Sequence, residues 1–182
     1  MSPLVASVTH AAAFLTVLAD VFIVAAFALM FRDRYGDGRF LSFLRSHGLR
    51  AAFAVSLSAI AGSLFYSEVA GFAPCVLCVV QRILMYPQAV FLGAGIWRRR
   101  RIWADASLVF SLAGAGVAAY NQYLQFGGES LIPCGASGAS ACAQRFFVEF
   151  GYVTIPMMSL TAFLLVIALI VPERIHRHRA GS

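Results

Sequence analysis

Five apolar runs, near residues 11–31, 49–69, 79–97, 103–126 and 152–171, constrain this chain more than any other feature. Each is close to the roughly 20 residues that a helix needs to cross a bilayer core of about 30 Å. In hydrocarbon every backbone N–H and C=O must be bonded within its own segment, so runs of this length and polarity become helices. The composition agrees, with 60% hydrophobic and 12% charged residues, against about 45–50% and about 25% in soluble domains. The fold class expected is an all-α membrane protein of five spans. The first run has no basic residue before it and exceeds the ~7–15-residue apolar stretch of a signal peptide. It therefore reads as a retained helix.

Short loops rich in Lys or Arg stay cytoplasmic, and all 14 basic residues here are arginines. Arg32, Arg34, Arg39, Arg45 and Arg50 lie between spans one and two, Arg98 to Arg101 between three and four, and Arg174, Arg177 and Arg179 after span five. This puts the C-terminus in the cytoplasm and the connections near 70–78 and 127–151 outside. Trp97 and Trp103 flank the four-arginine turn, as an interfacial aromatic belt requires. The arginines mark topology and form no basic ridge, which argues against nucleic acid as a partner. Arg82 and Arg145 stand apart from this pattern.

All four cysteines fall in or beside the outer connections. Cys75 and Cys78 occupy the outer mouth of span three after Pro74, while Cys134 and Cys142 lie in the second outer connection. The outer face of a bacterial plasma membrane is where disulfides form and persist. In Cys75-Val-Leu-Cys78 the sulfurs lie one turn apart at a helix start, where free N–H groups and the helix dipole stabilise a thiolate. Arg82 follows Cys78 by four residues on the same face. An intramembrane charge needs a partner, and the spacing predicts the Cys78 thiolate; snorkelling to headgroups is the alternative. Cys134 and Cys142 bracket seven small residues, Gly135 to Ala141, and closing that loop removes about 2.6 kcal/mol of unfolded-chain entropy. Such a loop suits a disulfide that opens and reaches elsewhere, or a structural clip.

The other polar residues carry weaker signals. Asp20, mid-span in the first helix, suits helix–helix hydrogen bonding, a protonated acid or a proton pathway. Gln81, Tyr86, Asn121, Gln122 and Gln125 lie near the outer ends of spans three and four, where they can bind a polar head or satisfy one another. Residues 143–150 are amphipathic and short, fit to lie along the outer interface. His176 and His178 alternate with arginines in a solvated tail, and no metal site is expected.

The string Pro74-Cys75-Val-Leu-Cys78-Val-Val-Gln81-Arg82-Ile-Leu-Met-Tyr86-Pro87, followed by an outer-loop cysteine pair and by Thr154-Ile-Pro-Met-Met-Ser-Leu160, resembles the disulfide bond formation protein B (DsbB) family, in its BdbC-type branch. The resemblance covers residues 48–172, which implies a four-helix transmembrane redox core. To this the chain adds an N-terminal transmembrane helix and basic loop (1–47) and a basic tail (173–182). It implies a plasma-membrane oxidoreductase that reoxidises a soluble, DsbA-like thioredoxin-fold oxidase and hands the electrons to a quinone, ubiquinone or menaquinone. On that resemblance Cys75 and Cys78 match the quinone-coupled pair, Arg82 the arginine beside the quinone, and Cys134 and Cys142 the pair that meets the partner. Gln81 and Tyr86, beside Arg82, join it as candidates for holding the quinone. The extra helix and the lack of a histidine in the second outer connection depart from the family pattern. Vitamin K epoxide reductase-like proteins place the loop pair before the CxxC, the reverse of the order here. A four-thiolate metal protein and a subunit with two inert disulfides are the readings from other classes.

Overall fold

The structure, a computed structural model, describes residues 2–32, 39–98, 101–129 and 145–180. Its long helices are α1 (Pro3–Arg32), α2 (Arg39–Leu64), α3 (Val76–Arg98), α4 (Arg101–Gln125) and α5 (Ile155–Ala180). A π-helical turn, Phe65–Val69, continues α2. All five are long and apolar enough to cross a membrane. Most run past the apolar stretches that predict them, because a helix does not stop where hydrocarbon stops. The ladder continues through interfacial arginines until a terminating residue intervenes.

Helices α2, α3, α4 and α5 form a closed ring, α3 packing on α4, α4 on α5, α5 on α2 and α2 on α3, while α1 lies outside it against α5. Small residues set these distances, as they do wherever lipid removes the hydrophobic drive for helices to associate. A Cβ on Gly114 of α4 would overlap the ring of Phe163 on α5, and one on Gly93 of α3 would press within 3.2 Å of Phe53 on α2. The core is layered along the bundle axis. Ala52, Leu92, Val166, Leu169 and Ile170 fill one layer and Met85, Ala115, Ala118 and Phe163 the next. Leu124 then packs with Cys75, Leu77 and Tyr120 at the end of the bundle that carries the cysteines. The remaining large apolar side chains, such as Val21, Val90 and Val109, face outward as lipid contacts.

The segment entering α5 differs from expectation. Residues 145–150 form no interfacial helix; they fold back as irregular chain into a turn closed by paired Glu149 and Val153 backbone groups, each N–H···O 2.9 Å. Phe150 and Gly151 both take left-handed φ in that turn, +50° and +79°. The cause is aromatic packing: Phe146 stacks on Phe72 at 4.5 Å between centroids and Phe147 meets Tyr66 at 5.6 Å. Phe146 and Phe147 are thereby half-buried against the protein, while Val148 and Phe150 stay exposed.

Candidate functional site

Helix α3 begins directly after Cys75, whose carbonyl accepts from the Val79 N–H at 3.0 Å and whose Sγ accepts from the Cys78 N–H at 3.3 Å. The Cys75 side chain thus takes the place of an N-cap, satisfying one of the amides a helix start leaves open. Its sulfur stands 2.8 Å from that of Cys78. Asn121 of α4, fully buried, donates its Nδ2 to both sulfurs, at 3.7 Å to Cys75 and 3.6 Å to Cys78. Its role as donor to the pair goes beyond what spacing indicates, since it comes from a helix 43 residues farther along the chain.

Beneath the pair lies a cavity of about 420 Å³. From α3 it is walled by Cys78, Gln81, Arg82, Met85 and Tyr86, and from α2 by residues that include Ser58 and Ser63. Met158, Ser159 and Thr161 contribute from α5, and Ala12, Leu15, Thr16 and Ala19 from α1. Leu15, Ser58 and Tyr86 are exposed as well as lining, so the cavity opens sideways at membrane depth. Gln81 is 5% exposed and its Nε2 has no hydrogen-bond partner among the described residues. A buried amide donor left unmade costs about 1–3 kcal/mol, and this one is enclosed behind the cavity surface.

Arg82 corrects one expectation. Its hydrogen bonds go across to α2, Nε to the Ser63 hydroxyl at 2.7 Å and Nη2 to the Ser63 carbonyl at 2.6 Å. The i, i+4 spacing sets Arg82 and Cys78 on one cavity wall, but a hydroxyl and a carbonyl are better acceptors than an uncharged thiol. Ser63 lies two residues before the π-helical turn Phe65–Val69. Arg82 therefore neither snorkels alone nor grips Cys78 in this state.

On the opposite side of the sulfurs is a narrow cleft formed by Cys75, Cys78, Gln125, Phe146, Phe147 and the start of α5. Cys78 borders both spaces, Cys75 the cleft alone. Arg145 stacks its guanidinium over Phe126 at 5.4 Å and so holds the segment against α4. Gln122 accepts from Thr154 at 2.5 Å and donates to the Tyr152 carbonyl at 3.1 Å, so this pair of polar residues satisfies itself across α4 and the α5 entry. Cys134 and Cys142 lie outside the described residues. Among the described residues no group of three or more His, Cys, Asp or Glu side chains comes together.

The model of the family "Disulfide bond formation protein DsbB" matches residues 46–172, and α1 lies outside that stretch. A probable disulfide formation protein of Chlamydia pneumoniae is 35% identical over 138 residues, covering 75% of this chain and 98% of that protein. Disulfide bond formation protein C of Bacillus subtilis (strain 168) is 36% identical over 121 residues, 65% of this chain and 86% of that one. No solved structure matches the chain. An all-helical membrane bundle that displays a CxxC at a helix start and matches this family over more than half its length belongs to the DsbB family, with a role in membrane-bound disulfide bond formation.

Proposed function

We propose that the protein is a quinone-dependent protein-disulfide oxidoreductase. It reoxidises a soluble, extracytoplasmic, DsbA-like thioredoxin-fold oxidase and passes the electrons to ubiquinone or menaquinone. The position of Cys78 carries this reading: its sulfur borders a laterally open cavity of about 420 Å³, within the 300–1,000 Å³ usual for small-molecule sites. A quinone ring is flat and apolar, with two carbonyl acceptors on its edge. The walls are mostly aliphatic and supply a charged donor, the Arg82 guanidinium, with the Gln81 side chain beside it; Tyr86 stands at the rim. When bound, the quinone supplies the acceptor for two electrons and two protons.

The chain supplies the thiol chemistry. A thiolate of the reduced partner attacks Cys134, breaking a Cys134–Cys142 disulfide, and the partner's second thiol then releases its own disulfide. Cys142 attacks Cys75 of the oxidised CxxC and Cys78 leaves as a thiolate beside the cavity; Cys134, freed by the partner, then attacks Cys142, restoring the loop disulfide and releasing Cys75. Each exchange forms one S–S bond and breaks one. Over the cycle the partner loses two electrons and two protons, and the acceptor gains both. The segment that follows Cys142 is folded over the CxxC at Phe146 and Phe147, which supports delivery of Cys142 to Cys75. The arginine-rich connections are read as cytoplasmic and the cysteine end as extracytoplasmic.

Anaerobic titration of the fully reduced protein with each quinone, following free thiols, tests the reading. Two thiols should be lost per quinone reduced. Thiols that ignore both quinones would leave a protein with structural disulfides only.

A further inference from the structure

Helix α1 lies outside the family match, yet four of its side chains wall the cavity. Ala12, Thr16 and Ala19 follow the i, i+4, i+7 spacing of one helix face, and Leu15 stands at the rim. This face is held in rotation by polar contacts along α1. The Asp20 carboxylate accepts from Thr161 of α5 at 2.7 Å and from the Tyr152 hydroxyl at 3.0 Å. Nearer the N-terminus, Tyr66 bonds Thr9 at 3.4 Å and His10 stands 3.1 Å from Glu149. Asp20 is the strongest of these anchors: a carboxylate within the span is costly unless bonded, and both its oxygens are engaged. Without α1, the space between α2, α3 and α5 would be an open groove facing lipid.

We propose that α1 is the closing wall of the acceptor chamber, and that its Ala12–Thr16–Ala19 face sets the size of quinone ring the chamber admits. The inference rests on the quinone reading above. Its independent support is Arg82 on the facing α3 wall, a charged donor that lines the same cavity. That donor calls for a carbonyl-bearing occupant, which an acyl chain of a phospholipid would not provide. Small residues on α1 leave room for a substituted ring between the two walls.

The test uses the full-length protein in lipid nanodiscs, with a photoreactive azidoquinone and unmodified ubiquinone and menaquinone. In the wild type, label should fall on the α1 peptide that contains residues 12–19 and be displaced by unmodified quinone. Ala19→Phe and Ala12→Phe should weaken quinone binding at least tenfold, more for the larger ring. Val21→Phe, on the exposed face of the same helix, should change nothing. Exchange of the Cys75–Cys78 pair with a small dithiol should be equal in all variants and shows that each is folded. If the wild type neither binds nor reduces quinone, the functional reading itself fails. If it does, but α1 carries no displaceable label and the cavity-facing variants match Val21→Phe, α1 is only a peripheral anchor and the inference is overturned.

Discussion

On one side of the Cys75–Cys78 pair lies a space of about 420 Å³ that opens to lipid; on the other is a cleft of about 10 Å³ roofed by Phe146 and Phe147. The first has room for a ring system. The second is about the size of one water molecule, hence of one sulfur atom. A cleft of this size is too narrow for a ring system. On the proposed function, the open side would take the small molecule and the cleft side the relay from the loop pair. Because Cys75 borders only the cleft and Cys78 borders both spaces, the two sulfurs are expected to differ in what they meet.

Separating the two sulfurs gives the largest effect. Cys78→Ser should abolish quinone reduction while leaving Cys75 able to form a disulfide with Cys142, visible as a mobility shift on a non-reducing gel. Cys75→Ser should abolish both. A Cys78–Cys142 bond in Cys75→Ser, with none in Cys78→Ser, would exchange the two roles and break the comparison. Next comes the cavity side alone. Hydrogen bonds made by charged groups contribute about 1.5–3 kcal/mol and neutral ones about 1 kcal/mol. Arg82→Ala should therefore slow quinone reduction about 10- to 100-fold and Gln81→Leu about fivefold, with oxidation of the partner's thiols by the loop pair unchanged. Arg82→Lys should recover part of the rate, since it keeps the charge and loses the planar fork. Equal quinone affinity and turnover in Arg82→Ala and wild type would remove Arg82 from the site.

The bundle was legible in the sequence because spanning helices are long uninterrupted apolar runs and need no partner to be recognised. Their neighbours were not. Hydropathy says that residues 11–31 cross the membrane, not that they wall a cavity, and only Asp20 hinted at a lateral contact, the hydrogen bond it makes to Thr161. The CxxC at a helix start was legible from local spacing. Arg82 shows the limit of such spacing: four residues from Cys78 fixes a shared face, but a long flexible side chain takes the best acceptor in reach, and Ser63 comes from another helix. Residues 145–150 were legible only as a short amphipathic piece, since that pattern does not show that Phe146 and Phe147 pack on the rings of Phe72 and Tyr66.

Asn121 gives the smallest effect and the finest test of the two-sided pair. Its Nδ2 reaches both sulfurs at nearly equal distance, 3.7 and 3.6 Å, so it stabilises charge on whichever sulfur carries it. Contacts of this length to sulfur are weaker than those to oxygen, and about 1 kcal/mol or less is at stake. Asn121→Leu, which keeps the branched shape and the number of heavy atoms, should slow quinone reduction and exchange with Cys142 by the same modest factor, about three- to fivefold. Folding should not suffer, because the substitution also removes a buried Oδ1 that has no partner among the described residues, and losing an orphaned acceptor is neutral or stabilising. Stopped-flow measurement of the two half-reactions, with thermal unfolding in the same detergent, checks both points. A rate loss confined to the quinone half would make Asn121 part of the cavity wall; a loss confined to the thiol half would tie it to the cleft. Either result would show that the two sulfurs do not share the donor equally.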